Sequence, residues 1–116
     1  MKTDIQKVIL IRELKKLSNK EDVSLWKRIA KELSRPTQNM RKVNLYKIQR
    51  YLRDKETALI PGKVLSVGDY DKKNVVAAYS FSSLAKKKIE QSNGKAISIE
   101  ELMKSNPKGK LVRIFG

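Results

Sequence analysis

A chain of 116 residues with 27 lysines and arginines against 12 acids, a formal net charge of +15, is long enough for one domain with its own core, yet that charge opposes compaction unless a polyanion neutralises it. With no cysteine and no histidine it lacks thiol chemistry, most zinc sites and imidazole acid–base catalysis, so neither a cofactor nor an enzyme is expected. The excess is spread along the chain, with 16 cations and 7 acids in residues 1–56 and 11 cations and 5 acids in residues 57–116.

Residues 4–18 carry Leu10, Leu14 and Leu17 at helical spacing, and Ile5, Val8, Ile9 and Ile11 widen the apolar surface, so this helix is expected to be covered on several sides. Asp22 is a candidate N-cap for a second helix, in which Val23, Trp26, Ile29, Ala30 and Leu33 form an amphipathic stripe with Trp26 in the core. Pro36 ends it, and the segment RPTQNMRK, 35–42, reads as a loop. Asn44 then caps a short helix to Leu52, with Leu45, Ile48 and Leu52 on one side. After Thr57 the composition turns β-branched in short runs: ALIPGKVL, NVVAAYSF, KAISI and KLVRIF are strand candidates. Ser82 caps a helix running to about Asn93, where Gly94 supplies a left-handed stop, and strand, crossover helix, strand implies a parallel pair. Glu100 and Glu101 suit the first turn of a further short helix that Pro107 cannot continue. The expected fold is an α/β domain: a small, mainly parallel sheet with a strand–helix–strand crossover, preceded by two helices and a basic loop. Residues 1–56 form its basic helical part and 57–116 its globular part, in one structural unit.

Between Glu32 and Asp54 there is no acid, while Arg35, Arg41, Lys42, Lys47, Arg50 and Arg53 all fall in that interval. A solvated helix face mixes its signs, because acid–base pairs four residues apart stabilise the helix. Cations gathered about a proline-anchored loop, with Val43, Leu45, Ile48 and Leu52 to tie them down, instead suit contact with a phosphate backbone. Tyr46 and Tyr51 have the chemistry to stack on unpaired bases, although packing is expected for at least one of them. A second anion-free cluster, Lys104, Lys108, Lys110 and Arg113, fits either polyanion contact or an edge strand protected by lysines. Lys86, Lys87 and Lys88 spread over a helix surface and read as solvated. The glycines of PGK, 61–63, and PKGK, 107–110, lack the spacing of phosphate-cradling loops and read as turn glycines. The longest apolar run, Val8 to Ile11, is far too short to span a bilayer, and no membrane partner or small-molecule substrate is expected.

RKVNLYKIQRY (41–51), PGKVL (61–65), VVAAYSFSSLAKKKIEQSNGKAISIEEL (75–102) and NPKGKLVRIFG (106–116), in that order and spacing, resemble the archaeal and eukaryotic large-subunit ribosomal protein eighteen-e family, whose globular part is similar to bacterial ribosomal protein fifteen. The resemblance implies a cytoplasmic, structural component of the large ribosomal subunit, with ribosomal RNA and neighbouring ribosomal proteins as partners. Carried over by position, the family's basic signature falls on Arg35, Arg41, Lys42, Asn44, Lys47 and Arg50; to these the sequence itself adds Arg53, Lys108, Lys110 and Arg113. Gln38 and Met40 depart from the pattern where further cations would stand, and SVGDYD (66–71) replaces a glycine-rich turn. Outside this family, a helix-turn-helix DNA-binding protein built on the first two helices is the alternative, and a small nucleotide-dependent enzyme a remote one.

Overall fold

The computed structural model describes residues 5–36 and 39–116. Helices α1 (Ile5–Glu21) and α2 (Ser24–Leu33) are followed by strand β1 (Arg41–Asn44), helix α3 (Leu45–Tyr51), strands β2 (Thr57–Leu65) and β3 (Val75–Phe81), helix α4 (Ser83–Gln91), strand β4 (Lys95–Ser98), helix α5 (Ile99–Ser105) and strand β5 (Val112–Ile114). The sheet runs β1-β2-β3-β4, and every pairing is parallel. β1 and β5 share one edge of β2: β5 pairs with Thr57 to Leu59 at its start, β1 with Gly62 to Leu65 at its end.

Each sheet face carries its own apolar layer. Val43, Ile60, Val64, Val76 and Ala78 meet Leu45, Ile48 and Leu52 from α3 and Ala85 and Ile89 from α4. On the other face Leu59 and Ala77 meet Leu10 and Leu14 of α1, Trp26, Ile29, Ala30 and Leu33 of α2, and Ile99 and Leu102 of α5. Burying each large aliphatic side chain contributes about 1.5–3 kcal/mol, which is what holds a chain of this charge together. Trp26 is fully buried, as its place in the stripe predicts, and its indole Nε1–H donates to the Pro107 carbonyl at 2.7 Å.

Five expectations are corrected. α1 runs to Glu21, and Asp22, with φ 54°, takes the left-handed position that closes it instead of capping α2. The Val23 N–H donates to the Ser18 carbonyl at 3.1 Å, which completes that closure, and Val23 holds the N-cap position of α2 without a side-chain cap. Second, α1 is covered on one side only: Ile5, Val8 and Ile9 are exposed, because α1 packs chiefly on α2 and the far side meets solvent. Third, Arg41 and Lys42 lie in β1 rather than in a loop; Thr37 and Gln38 of the same expected loop lie outside the described residues. A four-residue strand carrying one buried side chain, Val43, is too short for its alternation to be read from sequence. Fourth, Asn44 occupies the N-cap position of α3 but makes no side-chain cap; its Oδ1 accepts from the Val67 N–H at 3.3 Å and ties down the loop after β2.

The fifth concerns the end of α4. Ser82 caps it as expected, accepting from the Ala85 N–H at 3.2 Å. At the other end Asn93, φ 67°, not Gly94, is left-handed, and the N–H groups of Asn93 and Gly94 donate to Glu90 and Ile89. Gly94 is needed for closeness: a β-carbon there would stand 2.8 Å from the Asn74 carbonyl oxygen and 3.1 Å from that of Lys72. Gly94→Ala should therefore cost about 1–3 kcal/mol in urea unfolding by overpacking, and Gly94→Val more. Asn93→Gly should be neutral or stabilising by up to about 1 kcal/mol, because it relieves the left-handed strain. Ser82→Ala should cost about 1 kcal/mol. The reverse order of the Gly94 and Asn93 effects would restore a left-handed Gly94.

The parallel pair β2–β3 is joined by residues 66–74 without a helix, a short connection for a parallel crossover. Side chains brace it. Lys88 Nζ donates to the carbonyls of Ser66 (2.8 Å) and Gly68 (3.0 Å), Lys72 Nζ to that of Leu52 (2.7 Å), and Asn74 Nδ2 to those of Arg53 and Glu56. Burial, with Asp71 beside it, pushes the Tyr70 phenol up to about 12, so it stays neutral in this loop at physiological pH.

Candidate nucleic-acid interface

Helix α3 turns Leu45 and Ile48 inward, and this leaves Tyr46, Lys47, Arg50 and Tyr51 facing out. Both tyrosines are exposed, Tyr46 at 56% and Tyr51 at 47%, which overturns the expectation that one is packed. The Arg50 guanidinium lies 5.5 Å from the centre of the Tyr51 ring, so these two residues form one flat, cationic surface. In β1, Lys42 points outward beside buried Val43.

Although the stretch holds no acid, two acids reach it from outside. Glu32 of α2 pairs with Arg41 Nε at 3.3 Å and Arg35 Nε at 3.6 Å, which anchors β1 to the end of α2. Glu56 lies 3.8 Å from Arg113 and accepts from the Arg53 backbone N–H at 2.7 Å. Pairs this exposed stabilise by at most about 1 kcal/mol, but they lower the free charge of Arg35, Arg41 and Arg113. Among the described residues no ion pair engages Lys42, Lys47, Arg50 or the Arg53 side chain.

The cations divide between the two ends of the sheet. Lys42 adjoins the end of β2, whereas β5 and the turn before it adjoin its start, so Lys108, Lys110 and Arg113 stand apart from Lys42. Lys108 and Lys110 are exposed on a turn closed by Asn106, whose side chain bonds both the N–H and the carbonyl of Lys110, with Gly109 at φ 64°. α3 runs back along the sheet between the two groups and carries Lys47 and Arg50.

Sequence reasoning missed two lysines. Lys88, read as solvated, braces the loop after β2 through the two carbonyls described above. Lys63, read as following a turn glycine, lies within β2 as its one exposed residue and is the register partner of Lys42. The parallel pairing that reveals it requires β1. Among the described residues no His/Cys/Asp/Glu group could hold a metal ion, and no helix is long and apolar enough to cross a membrane.

A small α/β domain whose unpaired cations gather on one edge strand and the helix after it is built to meet a polyanion. Residues 8–97 match the ribosomal protein family that comprises 50S-L15, 50S-L18e and their 60S counterpart, and the chain belongs to that family. It is 44% identical over 115 residues to the large ribosomal subunit protein eL18 of Methanococcus maripaludis, covering 99% of this chain and 96% of the relative. The protein of the same name from Methanothermobacter thermautotrophicus is 41% identical over 114 residues, 98% and 94% of the two chains. That of Methanospirillum hungatei is 45% identical over 106 residues, 91% and 88%.

Proposed function

We propose that this protein is a structural, non-catalytic constituent of the large ribosomal subunit, working in the cytoplasm, and that it binds ribosomal RNA through β1, α3 and their flanking residues, beside neighbouring ribosomal proteins. The family and its relatives support the ribosomal place. The observation that carries the interface is the set Lys42, Lys47, Arg50 and Arg53, exposed and without a carboxylate partner among the described residues. Each lysine or arginine that neutralises a phosphate releases condensed counterions, while the apolar side of α3 holds those cations in place. Arg35, Arg41 and Arg113 contribute less free charge, because Glu32 and Glu56 share them. Asn44 acts through the loop it ties down, and Lys108 and Lys110 form a separate, outlying contact.

Removing Lys47 and Arg50 together, as alanines, tests this. Binding to large-subunit ribosomal RNA should weaken, and the slope of log K against log[salt] should shrink by about 0.7–0.9 for each lost contact. Melting should move little, since exposed charges away from special features contribute within roughly 0.5 kcal/mol. Unchanged affinity and slope would remove α3 from the interface.

A further inference from the structure

β2 is a central strand, and a lysine in its interior has nowhere to go but outward past its neighbours. Its burial along TALIPGKVL is continuous except at Lys63 and the two partly buried ends. Lys63 pairs in register with Lys42 on β1 and with Ser80 on β3, so these three side chains form one row across the sheet. The next row, Val43, Val64 and Phe81, packs in the layer beneath α3 and α4. Because side chains alternate along a strand, the Lys42–Lys63–Ser80 row faces the opposite side, at the carboxyl end of the strands. There Met40, Arg41, Lys42, Lys63, Tyr79 and Ser80 line a shallow cleft with no acid among them.

Neighbouring strands lie about 4.8 Å apart, and like charges directly across from each other destabilise a sheet. Arg41 is engaged by Glu32, but no ion pair engages Lys42 or Lys63 among the described residues. The repulsion is therefore a standing cost of the free protein. We infer that this cleft seats one phosphodiester of the RNA backbone, straddled by Lys42 and Lys63 with the Ser80 hydroxyl donating to it. The inference rests on the ribosomal RNA reading above and adds Lys63 and Ser80, which no sequence motif had marked. A single phosphate between two ammonium groups removes their mutual repulsion and fixes the register of the backbone along the strand ends, something flexible lysines on separate elements cannot do.

The test is a double-mutant cycle of Lys42→Gln and Lys63→Gln, read by affinity for large-subunit ribosomal RNA across a salt series. Each single change should weaken binding about fivefold near 150 mM salt and lower the slope by about 0.7–0.9. The double variant should lose clearly less than the product of the two, because both lysines serve one phosphate. Ser80→Ala should weaken binding with the slope unchanged. In the free protein Lys63→Gln should melt at or above the parent temperature, since it relieves the repulsion. Parent-like binding by Lys63→Gln, with Lys47→Ala/Arg50→Ala still impaired, would overturn the cleft and leave the wider interface standing. Fully multiplicative losses would mean two separate phosphates and also overturn it. If the parent protein does not bind the RNA at all, both readings fall.

Discussion

Trp26→Ala will remove about 3–5 kcal/mol of folding stability, a large share of the roughly 5–15 kcal/mol that holds a domain together. The side chain is fully buried between α2 and the sheet, in the layer that α1, α2 and α5 share with Leu59 and Ala77. Truncation opens a void among Leu14, Ile29 and Leu33 that backbone relaxation cannot fill, and it strands the Pro107 carbonyl that the indole satisfies. Trp26→Phe separates the two effects: most of the volume is kept, so its deficit should be smaller and reflect chiefly the lost hydrogen bond. Urea unfolding followed by far-UV circular dichroism measures both, and RNA affinity of the remaining folded molecules should match the parent. A parent-like midpoint for the alanine variant would contradict the packing described here.

Gly62→Ala should be as damaging, although elsewhere exchange of glycine for alanine often stabilises by about 0.4–1 kcal/mol through the unfolded chain. Gly62 sits in the irregular stretch of β2 between Ile60 and Lys63, in register with Arg41. A β-carbon there overlaps the Arg41 carbonyl oxygen, a backbone atom that can yield only if β1 moves. Displacing β1 withdraws Val43 from the layer beneath α3 and takes Lys42 out of line with Lys63. We expect a loss at or above the roughly 1–3 kcal/mol of ordinary overpacking, together with weaker RNA binding by the molecules that remain folded. A variant that melts and binds like the parent would show that β1 does not pack against Gly62.

Where the sequence was legible, its signals were long or chemically distinctive. The stripe of α2, the Ser82 cap and the parallel pair either side of α4 each rest on several residues that agree, and the structure contains all three. β1 escaped notice because four residues with two cations look like loop, and its strand character comes wholly from the partner edge of β2. Asp22 and Asn44 are good capping residues that tertiary context put to other uses, one as a left-handed helix stop and one as a loop tether. The basic interval could be read from composition, but not its division: Glu32 and Glu56 lie outside the stretch and pair with Arg41 and Arg113 across the fold. Lys63 was hidden for the same reason as β1, since only the register sets it beside Lys42.

The shared edge of β2 bears on how the chain folds as it is synthesised. β1 can add to the end of that edge early, but the start of the edge waits for Val112 to Ile114, and the Trp26 indole waits for a carbonyl 81 residues further along. Long-range pairings of this kind are slow to form, and a growing chain emerges from its amino end. During that interval α1 and α2 stand beside an incomplete sheet, with apolar surface uncovered and cations already displayed. Nascent molecules would thus be sticky towards nucleic acid before they are properly folded, and a chaperone that shields either surface would act in the window that closes when β5 docks.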